Sequence, residues 1–209
     1  MMATERVTGA VTARPTGLGI AGVWMGSLAA VLVRRPPVPG PRHSAGLRHL
    51  LLPLAVMEIV TAFLVSSMLP PAVRPAHAVL EVLLVLAGFG LVAALLRHPH
   101  EVDAERVVLR TGFLGDVTLP RAAVRTASSA IRTVPGRGPR PVPGEADAVA
   151  CSVDSSLNAA VHLDPPVRLD LGAAGVVNAT TVYTSVDSLP AFSAALRTVG
   201  PAPGHPAET

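Results

Sequence analysis

Two carboxyls, Glu58 and Glu81, lie inside long apolar stretches, where an ionisable group is a candidate for proton or ion handling. His77 stands four residues before Glu81 on the same helical face and Arg74 seven before it, so Glu81 has local partners. Glu58 has no charged neighbour, and Ala55, Ala62 and Ser66 share its face. Protonated, hydrogen-bonded carboxyls that fix helix packing are the expected role, with a proton relay as the sharper alternative. His98 and His100 alternate beside Glu101, but a metal would need a third well-placed ligand, so a structural or solvated role is expected and no metal site. Cys151 has no candidate base at readable spacing and reads as a small core residue. As the only cysteine, it permits neither an intrachain disulfide nor a multi-Cys metal centre.

Gly17-Leu18-Gly19-Ile20-Ala21-Gly22 matches the dinucleotide pattern G-x-G-x-x-G, yet no strand precedes it. Gly22 and Gly26, with Ala30 one turn on, fit better as a small-residue face for helix packing, within the chain or between copies. Arg121, Arg125, Arg132, Arg137 and Arg140 fall within 117–144, which contains no acidic residue. They form either a solvated loop or a face toward anionic lipid, where each contributes ~1 kcal/mol. No nucleophile elbow or phosphate loop is present, so no catalytic residue, no cofactor and no enzymatic activity are expected.

The elements that carry these residues divide the chain in two. Half the residues are hydrophobic, 15% are charged and the mean hydropathy is +0.50, high for a soluble domain. Lysine is absent, which reads as high-GC codon bias. Residues 1–97 hold eight Arg against Glu5, Glu58 and Glu81, while residues 98–209 hold nine Arg against eleven acidic groups. The basic excess thus sits with the apolar half, which argues against a nucleic-acid partner.

Three apolar stretches bounded by Arg predict spans at about 16–33, 50–69 and 76–96, the last two forming a hairpin broken at Leu69-Pro70-Pro71. At −0.3 to −0.6 kcal/mol per large apolar side chain, each hairpin stretch gains roughly 4–7 kcal/mol on insertion, against about 3 for its one carboxyl. Arg34, Arg35, Arg42 and Arg48 place the following loop on the cytoplasmic side, and with it the domain after Arg97. The expected localisation is a multi-pass cell-membrane protein, with the N-terminus outside if the first span inserts.

From His98 the pattern becomes short alternating runs. Strands are predicted at 107–111, 117–120, 124–133, 148–153, 158–163, 166–171 and 178–185, antiparallel and half-buried. A Pro- and Gly-rich mobile loop is expected over 134–147. Ser188 caps a closing helix whose Leu189, Phe192, Leu196 and Val199 share a face, and 200–209 reads as a disordered tail.

Val108-Leu109-Arg110-Thr111-Gly112, Val117-Thr118-Leu119-Pro120 leading to Val124, Asn158 to Leu163 and Asp187 to Leu196 together resemble the bacterial pleckstrin-homology-like (PH-like) domains of membrane proteins. The chain also resembles uncharacterised high-GC bacterial membrane proteins that join such a domain to a hairpin through a His-Pro-His step, here His98-Pro99-His100. The resemblance covers about residues 48–199. It implies a small, partly open β-barrel capped by its C-terminal helix, without known catalytic residues. The resulting expectation is a non-enzymatic membrane protein whose domain binds a protein partner or its own copies. Lipid sensing by Arg121–Arg140, or transport using Glu58 and Glu81, are the alternatives.

Overall fold

The computed structural model describes residues 7–12, 17–33, 40–43, 45–111 and 114–199. Arg34 and Arg35, the Gly112-Phe113 step and the expected disordered tail lie outside the described residues.

Leucine, valine and alanine cover most faces of two helices of 24 residues each, α2 (Ala45–Met68) and α3 (Arg74–Arg97). At 1.5 Å per residue each is ~36 Å long, and both are long and apolar enough to cross a membrane. They pack as a hairpin in which a Cβ on Gly88 would stand 3.7 Å from that of Ala55. Arg74 closes the turn, donating to the carbonyls of Leu69 at 2.9 Å and Ser67 at 3.4 Å, which would otherwise end α2 unsatisfied. Met57, Ile59, Phe63, Leu64, Leu83 and Leu84 all point outward and exposed, a contiguous apolar surface that suits lipid and not water.

The helix before them differs from the expected first span. α1 (Gly17–Leu32) has 16 residues, ~24 Å at the helical rise, short of the ~20 residues a span needs. Its middle meets the domain-proximal end of α3, where a Cβ on Gly90 would stand 3.7 Å from the Trp24 carbonyl oxygen. Both flanks of α1 are tied to the β-rich part. Before it, β1 (Ala10–Val11) pairs with β4 (Asp116–Pro120). After it, Pro41 accepts from the His100 amide and Arg42 from the Asp187 amide, each at 2.9 Å. Of three expected spans, two have the required length.

The C-terminal part folds because its apolar residues alternate. β2 (Glu101–Val102), β3 (Arg106–Arg110), β4 and β1 form one antiparallel sheet in the order β1-β4-β3-β2. β5 (Val124–Thr133), β6 (Gly138–Val142), β7 (Glu145–Ser152), β8 (Ser156–Asp170) and β9 (Val176–Thr184) form the second, in the order β5-β8-β9-β7-β6. Between the sheets lie Val107, Leu109, Val117, Leu119, Val149, Val161, Val167, Leu169 and Val182, and α4 (Leu189–Thr198) adds Phe192 and Leu196. Ser188 caps α4, its Oγ accepting from the Ala191 amide at 3.3 Å.

Four expectations change. β7 and β9 run parallel, so the second sheet is mixed. The runs at 158–163 and 166–171 are one strand with an irregularity between His162 and Val167. β1, from the N-terminal segment, reaches both sheets: the Thr12 amide donates to Asp116 and the Gly9 amide to Arg168. Within the expected 134–147 loop, β6 and β7 make a hairpin through Pro143-Gly144. Edge position explains β6, since Pro139 and Pro141 lack an N–H that an edge strand can spare. Gly138, at φ +74°, presses on the Leu114 carbonyl where no side chain would fit.

Candidate functional site at the hairpin–domain joint

His98 ends α3, and the His98-Pro99-His100 step turns the chain into β2. The His98 ring donates from Nδ1 back to the Ala94 carbonyl at 2.8 Å, satisfying a C-terminal carbonyl of the helix. His100 is buried, with its Nε2–H donating to the Ser185 carbonyl at 2.9 Å and its Nδ1 accepting from the Arg110 amide at 3.0 Å. Both ring nitrogens are thus used by the neutral form. His43 stacks beside it, ring centroids 4.9 Å apart, and donates from Nε2 to the His98 carbonyl at 2.8 Å. Phe192 of α4 meets His100 edge-on at 5.9 Å. Burial lowers the pKa of both imidazoles, His100 to about 3, with each neighbouring cation opposing protonation further.

Asp187 completes the joint from the far end of the chain. Its Oδ1 accepts from the Ala45 amide at 2.7 Å, capping α2, and its Oδ2 pairs with Arg48 at 2.6 Å. Arg48 also donates to the His43 carbonyl at 2.5 Å. Leu47, Leu51 and Leu91 of the hairpin pack on Leu95, Leu114 and Val153 just below. Gly40 closes the joint, because any Cβ there would collide with the His100 carbonyl. The hairpin and the domain therefore meet through capping, an ion pair, a stacked His pair and an apolar cluster.

Comparison of the chain with protein-family models, curated proteins and solved structures finds no match.

The five arginines singled out from sequence do not act alike. Arg121 is buried and donates to the carbonyls of Leu196 at 2.5 Å, Val124 at 2.9 Å and Val199 at 3.0 Å, so it holds the end of α4. Arg125 pairs with Asp164 at 3.1 Å and Arg132 with Glu145 at 2.9 Å. Arg140 donates to the carbonyls of Gly138, Val134 and Asp154 and to Ser152 Oγ, locking the β6 hairpin. Arg137 is exposed beside a cavity of about 620 Å³ lined by Gly9 to Thr12 and Asp170 to Ala173.

Gly22 and Gly26 face open space instead of a packed helix, on a groove of about 380 Å³ that Arg97, His98 and Arg110 share. Close approach falls instead at Gly90 against Trp24. His77 and Glu81 pair at 3.2 Å within α3, as their spacing predicts. Glu81 shares an apolar groove with Ile59 and Ala62 of α2, which follow Glu58 by one and four positions.

Cys151 lies buried in β7, its Sγ donating to the Leu109 carbonyl at 3.4 Å, and burial pushes its pKa far up, which makes it a core thiol and not a nucleophile. Ser128 Oγ and His162 Nε2 stand 2.8 Å apart on β5 and β8, but no carboxylate among the described residues bonds to His162 to orient it. No group of three or more His, Cys, Asp or Glu able to hold a metal occurs among the described residues. Sequence reasoning saw His98 and His100 and missed His43 and Asp187. Asp187 next to the Ser188 cap was the only signal, and its contact with Ala45 is 142 residues away.

Proposed function

We propose that the chain is a non-enzymatic, multi-pass membrane protein whose α2–α3 hairpin spans the bilayer and presents a cytoplasmic PH-like domain for assembly, with its own copies or a protein partner. The carrying observation is the joint: Asp187 caps α2 and pairs with Arg48 while His43 stacks on His100, so the domain is fixed over the hairpin instead of swinging on a linker. A fixed domain presents the same surface on every copy in one membrane, which lowers the orientational cost of association.

Two sheets closed by a C-terminal helix favour the PH-like reading; the parallel β7–β9 pair and the N-terminal β1 depart from it. Orientation rests on arginine placement. Arg42, Arg48 and Arg97 lie at the domain end of the hairpin and Arg74 at the turn, which favours a cytoplasmic domain. Lipid sensing by the arginines has weaker support, because Arg121, Arg125, Arg132 and Arg140 all have internal partners. Transport has weaker support too, since Glu81 already pairs with His77.

The test is full-length protein in native membranes, carrying photo-crosslinkers on exposed domain positions such as Thr126 and Arg168. Specific adducts with a second copy or a discrete protein, reduced by Asp187→Ala, are expected. A monomer by detergent-corrected mass that gives no adduct at any position would end the assembly reading.

A further inference from the structure

We propose that Ile131, at the tip of a bulge in β5, inserts into the headgroup–acyl boundary of the bilayer crossed by α2 and α3, and so sets the height of the β domain on it. This rests on the membrane reading above. Ile131 is 93% exposed, and outside residues 17–97 the only other exposed large hydrophobic side chain among the described residues is Val176, at 47%. The exposure is built in by the backbone. Ser129 pairs with Ala159 and Arg132 with Leu157, so Ala130 and Ile131 together oppose Asn158 alone. Such a bulge re-aims one side chain. Ala130 packs on the second apolar cluster of the domain, with Val134, Leu157 and Tyr183, and Ile131 turns out. Asn158 cannot cover it, since its amide is spent on both backbone groups of Val186, at 2.7 and 2.8 Å.

Position names the partner. Ile131 shares an open depression of about 400 Å³ with Ala45 and Gly46, the first residues of α2, and with Asp187, which caps that helix. The outward apolar surface of α2 begins at Leu50, one turn and a half further on. Ile131 therefore stands where α2 enters lipid, the layer into which interfacial apolar groups sink by about 5–10 Å. Behind it Arg132 lies 5.5 Å over the Tyr183 ring, and Tyr183 donates its hydroxyl to Glu145. Arg132 is neutralised by Glu145 at 2.9 Å and Tyr183 is buried, so the side chain that this face offers to the bilayer is the apolar one of Ile131. The opposite flank has its own contact: α1 packs on α3 and leaves Met25 65% and Val31 48% exposed. The domain is thus braced on both sides of the hairpin, by α1 next to α3 and by Ile131 next to α2.

Full-length protein in nanodiscs of zwitterionic and anionic phospholipid, spin-labelled at one site at a time, tests this. The sites are Ile131→Cys, Phe63→Cys on the exposed face of α2, and Arg125→Cys, six residues back along β5 and ~20 Å away. Native Cys151 is buried and stays unlabelled. Oxygen should relax the label at 131 several-fold more, relative to a polar nickel chelate, than the label at 125, approaching the ratio at 63. A ratio at 131 equal to that at 125 places the tip in water and overturns the insertion. Shielding from both reagents means that protein, such as a second copy, covers the site, and overturns it as well. A water-like ratio at 63 refutes the membrane reading itself, which separates that failure from this one.

Discussion

His100 uses Nε2–H on the Ser185 carbonyl and its Nδ1 lone pair on the Arg110 amide, so a second proton costs the Arg110 bond and adds a buried charge next to His43 and Arg110 that Asp187 offsets only in part. In the unfolded chain the imidazole titrates near 6.5, and in the folded one near 3. Between those values the unfolded state takes a proton that the folded state refuses. Stability is therefore full above 6.5 and falls as pH drops toward 3, by up to ~1.4 kcal/mol per unit. His43, lowered by its own burial, adds in the same direction. Melting of the full-length protein in detergent should hold between pH 7.5 and 6.5 and drop steadily from there to pH 5. His100→Gln should cost about 1–3 kcal/mol at pH 7.5, from the buried bonds it misplaces, and should make the pH slope shallower. An unaltered slope would show that this imidazole is not the group responsible. The His-Pro-His step was legible as a joint in sequence, because a helix had to end there. Its partners were not, since Pro41, Ser185 and Asp187 come from both ends of the chain and no local pattern links them.

Elements were legible wherever one period dominated. α2, α3, β3, β4, β5 and α4 lie close to where alternation or apolar runs place them, because each buries a regular face or is long and apolar enough to cross a membrane. β6 escaped because its Pro and Gly signal a loop, and only the edge of a sheet tolerates them. β1 escaped because two residues have no period. Arg121 was misjudged for a related reason: a sequence shows its charge but not that a short helical turn after β4 points it at the end of α4. Arg121→Ala strips donors from the carbonyls of Leu196, Val124 and Val199, and should destabilise the domain by about 3 kcal/mol. Hydrogen exchange should show α4 losing protection first. Arg125→Ala, which removes an ion pair exposed at both ends, should change stability by less than ~0.5 kcal/mol. Equal effects from the two variants would mean that the carbonyl clasp is not what holds α4 down.

At the scale of the molecule, the short α1 reorganises the topology. A stretch of nineteen uncharged residues, 15–33, reads as a span when only its own composition is counted. Nothing in that window reveals that the preceding strand pairs with β4 more than a hundred residues later, or that the segment after it bonds to His100 and Asp187. With both flanks of α1 held by one domain, an odd number of crossings between them is geometrically excluded as long as β1 stays paired. The arginine distribution agrees: Arg6, Arg14, Arg34, Arg35, Arg42 and Arg48 precede α2 and Arg97 ends α3, leaving Arg74 alone at the far turn. Two spans put all but one of these on the domain side, whereas three would send Arg6 and Arg14 across against the positive-inside tendency. Cysteines introduced singly at Thr12, Ala72 and Thr198 in intact cells should therefore react with an impermeant maleimide only at 72. Positions 12 and 198 should become reactive together when the membrane is opened. If 12 reacts from outside along with 72 while 198 stays protected, then α1 crosses, β1 leaves its sheet, and the braced arrangement of domain on hairpin is wrong.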